Sequence, residues 1–207
     1  MAGVTKLEGK DLVIALKMLK KVSNFLEKNN IPYLLEAGTL LGVVRENRLL
    51  PWDTDMDVTV TDKNEKRLLS KLWKLNLFSR LRVSVRHYKQ DAGPFKKGQI
   101  RIIKIHNYKW LLFKGSMQLD IFLKREIDDE YYWTIDVRNP VLKSVPKTFY
   151  DNLGTIPFDG KEYSVPKDYE GYLECHYGPD WRTPVKKWET RTGDQNVREV
   201  LKVDGKV

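Results

Sequence analysis

The run Leu50-Pro51-Trp52-Asp53-Thr54-Asp55-Met56-Asp57-Val58-Thr59-Val60 constrains this chain more than any other stretch. Strand side chains alternate between two faces, so Asp53, Asp55 and Asp57 are expected on one face of a strand over 53–60. Like charges this close repel unless a cation sits among them. Magnesium, or manganese in its place, suits three carboxylates because it is hard and takes oxygen ligands shared with phosphates. Just upstream, Glu36 to Gly42 reads as a strand end, a Gly38-Thr39 turn and the first turn of a helix. Glycine lets a phosphate approach the backbone, and a helix N-terminus offers it free N–H groups.

The rest of the chain supplies the scaffold for such a site. With 207 residues, 41% of them hydrophobic and 31% charged, it can bury one sizeable core. No apolar run approaches the roughly 20 residues of a membrane span, so no transmembrane segment is expected. The first ten residues lack the apolar stretch of a secretory signal. One cysteine, Cys175, forms no internal disulfide and suits a reducing, cytoplasmic setting. One cysteine and three separated histidines leave too few ligands for structural zinc. The net charge of +9 favours polyanionic partners such as nucleotides, phosphorylated glycans or an anionic membrane surface. No block of consecutive basic residues marks a nucleic-acid tail, so nucleic acid is not the expected partner.

Apolar periodicity predicts a helix over 11–29, with Leu12, Leu16, Leu19, Val22 and Leu26 as its stripe. A short strand over 33–36, a helix over 38–45 and a turn over 47–51 lead into the aspartate strand. Asp62 is placed to cap a further helix through Leu75. Period-two patterning then predicts strands around 81–86, 100–106, 117–124 and 131–137. From Ser144 onward the elements shorten; a helix is expected over 168–177. The fold class is therefore α+β, a mixed β-sheet flanked by helices with a small irregular C-terminal extension. One catalytic domain is expected over 1–185 and a loose polar tail over 186–207.

A third carboxylate must come from a neighbouring strand. Asp120, a single acid within Met117-Gln118-Leu119-Asp120-Ile121-Phe122-Leu123, is the first choice. A charge in such surroundings needs a metal or an ion partner such as Arg101. Asp136 is its rival. Trp52 reads as packing or as a platform for a base or sugar. Arg45 reads as a phosphate contact or as the partner of Glu46. His106 reads as a satisfied core histidine and His87 as a surface residue.

Taken together, Ala37-Gly38-Thr39-Leu40-Leu41-Gly42-Val43-Val44-Arg45 and the Leu50–Val58 run resemble the signature of the LicD family. That family holds phosphocholine transferases and fukutin-type ribitol-phosphate transferases of the nucleotidyltransferase superfamily. Leu119-Asp120-Ile121-Phe122, Ile156-Pro157-Phe158-Asp159-Gly160 and Tyr177-Gly178-Pro179-Asp180-Trp181 extend the resemblance over roughly residues 31–184. It implies a nucleotidyltransferase-like fold and metal-dependent transfer of a phospho-alcohol from a CDP-linked donor. The acceptor would be a sugar hydroxyl of a glycan or glycolipid, and CMP would be released. It further implies Asp55, Asp57 and Asp120 as metal ligands and catalytic carboxylates. Gly38 and Thr39 would be the phosphate cradle, Arg45 a phosphate contact, Trp52 part of the substrate pocket, and Asp53 a ligand or its support. Glu46 and Asn47 depart from the family's usual turn. Two other readings remain open: nucleotidyl transfer from an NTP to a small molecule, and a basic binding module without catalysis.

Overall fold

The computed structural model describes residues 5–109, 113–136, 139–186 and 188–201. Helix α1 (Gly9–Lys28) buries Leu19, Val22 and Leu26 of the expected stripe together with Ala15 and Met18, while Leu12 and Leu16 are half-buried. It leads through β1 (Leu34–Leu35) into α2 (Ala37–Glu46), which ends on Asn47 in the left-handed conformation favoured at helix C-termini. Strand β2 (Met56–Thr61) follows. A short 3-10 turn, Asp62–Asn64, then opens α3 (Glu65–Lys71) and α4 (Trp73–Phe78).

The single helix expected over 62–75 is thus two helices parted at Leu72. The Leu75 N–H bonds Leu72 O at 3.0 Å, a tightened turn that keeps Leu68, Leu72 and Leu75 all buried. Asp62 does not cap: Asn64 holds the cap position, and no side-chain bond is made there.

Strands β3 (Leu81–His87), β4 (Ile100–Lys109), β5 (Phe113–Ile127), β6 (Glu130–Ile135) and β7 (Val141–Pro146) complete most of one eight-stranded mixed sheet. Val137, expected at the end of β6, lies outside the described residues. β5 is the spine. It pairs parallel with β2, antiparallel with β4 and, at its far end, antiparallel with β6. Val58, Val60, Leu119, Ile121, Leu123, Ile103 and Ile105 face the core. In-register partners share a face. The opposite face therefore carries Asp57, Thr59, Asp120, Phe122, Lys124, Ile102 and Lys104.

Beyond the sheet, α5 (Thr148–Asp151) precedes a hairpin of β8 (Leu153–Phe158) and β9 (Lys161–Pro166). Its Asp159-Gly160 turn has φ of 46° and 69°, as a two-residue hairpin requires. Helix α6 (Tyr169–Tyr177) is capped by Asp168, which accepts from the Gly171 N–H. The stretch after Pro184 is not a loose tail where it is described. Helix α7 (Thr190–Gly193) and β10 (Val197–Val200) follow, and β10 pairs with β7 at the sheet edge. Buried Asp194 and Asn196 anchor it.

Candidate metal centre and substrate cavity

Strand register builds the centre. Asp57 on β2 pairs with Asp120 on β5, and Asp120 pairs with Lys104 on β4. The three side chains form one row across three strands, and Asp55 enters from the loop just before β2. Asp55, Asp57 and Asp120 each bring a carboxylate oxygen within 4.8 Å of the others. The expectation of three aspartates along one strand is corrected here. The Asp53 N–H closes a turn on Leu50 O at 3.0 Å, so the chain becomes a strand only at Met56.

The electrostatics of this row favour a cation. Burial, then Asp55 and Asp120, push the Asp57 carboxyl well above the usual carboxylate range. Burial likewise raises Asp120, against the pull of Lys104. Lys104 Nζ lies 2.6 Å from Asp120 Oδ2, while Asp120 Oδ1 is buried without a hydrogen-bond partner. The ion partner of Asp120 is therefore Lys104 rather than Arg101. An orphaned, buried carboxylate oxygen within a three-carboxylate set fits a hard divalent ion. Asp136, the rival third acid, pairs with Arg191 at 2.9 Å and stands outside the cluster.

Thr39, Gly38 and Asp53 form the junction between α2 and the acidic loop. Thr39 Oγ1 accepts the Asp57 N–H at 2.8 Å, fixing the helix start to the first turn of β2. The place a Cβ on Gly38 would take is filled by the Asp53 carboxylate. The helix tip thus faces a carboxylate of its own chain, and Gly38 is required for that approach. Burial, then Asp55, raise Asp53 to about 6. Ala37, at φ 48°, holds the left-handed conformation at the helix start, which costs a non-glycine residue about 1–2 kcal/mol. Arg45 is engaged within the chain: Nη2 bonds Glu46 Oε1 at 2.7 Å and Nη1 bonds Trp181 O at 3.3 Å.

These groups open onto a cavity of about 1340 Å³, also lined by Trp52, Trp133, Tyr177, Trp188, Arg101 and Lys186. Its far wall carries a second charged cluster that sequence reasoning missed. Lys143 pairs with Asp194 Oδ2, and His176 Nδ1 lies 2.9 Å from Asp194 Oδ1. Burial and then Lys143 lower the pKa of His176, so its imidazole stays neutral at pH 7. Lys143 sat in a stretch without clear patterning, and Asp194 in the expected tail. Behind them, fully buried Lys124 donates to Glu36 Oε2 and to Tyr150 Oη, both at 2.8 Å, and packs 3.5 Å from the Trp133 ring centroid. His106 bonds Met117 O, and its pKa falls to about 4, as suits a satisfied core histidine.

A divalent ion competes with protons for these carboxylates. Asp53 and Asp57 hold their protons to higher pH than free carboxyls, so lowering the pH through about 6 sets protons against the ion. Mn²⁺ affinity measured by calorimetry is expected to fall by about tenfold or more between pH 7.5 and 5.5. An affinity unchanged over that range would place the ion elsewhere.

Carboxylates converging on one face of a sheet beside a helix tip offer the oxygen ligands that a divalent ion needs. The family model for the LicD/FKTN/FKRP nucleotidyltransferase domain matches residues 30–168, and the chain belongs to that family. It is 25% identical over 188 residues to the human ribitol-5-phosphate transferase FKTN, covering 89% of this chain and 36% of the relative. It is 32% identical over 180 residues to the uncharacterized protein RP689 of Rickettsia prowazekii, covering 85% of this chain and 58% of that one. The chain thus spans about a third of the length of the fukutin relatives it matches. His176, Trp188 and Asp194 line the same cavity from beyond the matched residues.

Proposed function

We propose that this chain is a metal-dependent phospho-alcohol transferase. It would take ribitol phosphate, glycerol phosphate or phosphocholine from a CDP-linked donor and place it on a sugar hydroxyl of a glycan or glycolipid. The observation that carries this reading is the meeting of Asp55, Asp57 and Asp120 on the floor of a large cavity within a LicD-family domain. In it, Asp55, Asp57 and Asp120 hold Mg²⁺ or Mn²⁺. When bound, the ion neutralises the charge that develops on the transferring phosphate. The acceptor oxygen attacks the phosphorus of the transferred group, the bond to CMP breaks, and CMP leaves. In this reading Asp120 would also take the hydroxyl proton, on the Oδ2 that Lys104 holds at 2.6 Å. Trp52, Gly38 and Asp53 line the cavity where the donor would lie, and Thr39 supports that wall from behind through its bond to the Asp57 N–H. A cavity of about 1340 Å³ exceeds what one small ligand needs and leaves room for donor and acceptor together. Among the described residues no helix is long and apolar enough to cross a membrane. A cytoplasmic, reducing setting is part of the proposal and rests on the single cysteine.

The test is a screen of CDP-choline, CDP-ribitol and CDP-glycerol with candidate sugar acceptors. One donor is expected to yield CMP with Mg²⁺ or Mn²⁺ present, and chelation with EDTA to stop it. Pyrophosphate release from an NTP, with no CMP from any CDP-alcohol, would contradict the proposal.

A further inference from the structure

The face of the molecule at α4 carries a feature the transfer chemistry does not use. Trp73, Leu77 and Phe78 are 53%, 65% and 71% exposed, the most exposed large apolar side chains described apart from Phe113. They are contiguous, for the Trp73 and Phe78 rings lie 5.9 Å apart, and Leu77 lies one helical turn from Trp73. α4 already seats Leu75 in the core, so this cluster is the outward side of an element held from beneath. An exposed apolar knuckle of this kind marks an interaction surface.

Its surroundings identify the partner. From Lys66 to Arg82, the segment that holds α4, the chain has six lysines and arginines and no acidic residue. Lys71, Lys74 and Arg80 bracket the knuckle along the chain. Lys21 reaches it from α1, with Nζ 3.3 Å from Ser79 O. Tryptophan, phenylalanine and leucine ringed by lysine and arginine match a bilayer interface. The apolar rings enter the headgroup boundary while the cations meet anionic lipid. We propose that the α4 knuckle docks this protein on the surface of an anionic phospholipid bilayer. Trp73, Leu77 and Phe78 are the inserting groups, and Lys71, Lys74, Arg80 and Lys21 form the electrostatic belt. This surface lies outside the cavity lining and does not depend on the reaction proposed above.

Flotation of the whole chain with vesicles of phosphatidylcholine alone, or mixed with phosphatidylglycerol, tests this. Binding is expected to the mixed vesicles only and to weaken with added salt. Trp73→Ser/Phe78→Ser and, separately, Lys71→Gln/Arg80→Gln are each expected to lower partitioning about tenfold. Both pairs are exposed or at the surface, and circular dichroism should report an unchanged fold. As a second readout, brominated lipid should quench part of the wild-type tryptophan emission. Trp73→Phe should lose that part. No binding to the mixed vesicles, or partitioning unchanged by Trp73→Ser/Phe78→Ser, would overturn the proposal. So would a wild-type dimer in sedimentation that the same substitution dissociates, because a second copy of the chain would then cover the knuckle.

Discussion

Asp57→Ala is expected to abolish turnover, by at least a thousandfold, while the fold stays intact and the metal-free protein becomes slightly more stable. Asp57 is the centre of the row. It pairs in register with Asp120, meets Asp55 from the preceding loop, and donates its backbone N–H to Thr39 Oγ1. Losing it removes a ligand that no neighbour replaces, and metal-assisted phosphoryl transfer depends on charge neutralisation at that point. The sign of the stability change follows from the same crowding. Burial and the charges of Asp55 and Asp120 disfavour the ionised Asp57, so its removal relieves the metal-free state. Steady-state CMP release and a thermal melt in EDTA measure the two effects. Turnover within tenfold of wild type would remove Asp57 from the reaction. A melting temperature lowered by many degrees would show that its carboxylate holds the fold together instead.

Lys124→Met is expected to be the most damaging substitution for stability, at about 3–5 kcal/mol. Lys124 is fully buried and balances Glu36, whose other partners are neutral hydroxyls: Thr59 Oγ1 at 2.6 Å and Tyr172 Oη at 2.7 Å. Removing the ammonium leaves a carboxylate in the core with no counter-charge. For a domain of this size the loss corresponds to a melting temperature lower by about 10 °C. Restoring neutrality with Glu36→Gln/Lys124→Met should recover most of it, because the pair's net contribution is small once both charges are gone. Burial pushes Glu36 up, but Lys124, with His176 and the Thr59 hydroxyl, holds the carboxyl down at about 2. A carboxyl depressed in the folded state contributes stability that is present above its unfolded pKa. That contribution is lost as the pH falls from about 4.5 towards 2. The double variant should therefore lack this acid-labile component. Single and double variants that melt alike would show that Glu36 finds another partner.

What the sequence revealed depended on how local the signal was. The α1 stripe, the strand–helix step at Gly38-Thr39 and the lone acid of β5 were legible because each reflects spacing within a few residues. Asp55, Asp57 and Asp120 could be nominated together, but the row that joins them to Lys104 depends on register between strands far apart in sequence. Lys104 looked like one more residue in an alternating strand, and only its pairing with Asp120 gives it a place in the site. The acidic run was misjudged over Asp53–Asp55, where the Leu50–Asp53 turn prevails over the alternation. Arg45 had two stated fates, and its guanidinium is bonded to Glu46. The least legible part was the C-terminal stretch. Its polar composition suggested a tail, yet Asp194 is buried against Lys143 and His176, and Trp188 packs on Tyr177 with ring centroids 4.9 Å apart. A buried charge balanced by a residue more than 50 positions away leaves no mark on local periodicity.

The central claim is that one divalent ion sits among Asp55, Asp57 and Asp120. Anomalous diffraction from a crystal soaked in Mn²⁺ tests it most directly. The expected result is a single strong peak bounded by oxygens of these three side chains, with Lys104 displaced from Asp120 or left on its second oxygen. A difference map with no peak there, or with the three carboxylates turned apart around solvent, would contradict it.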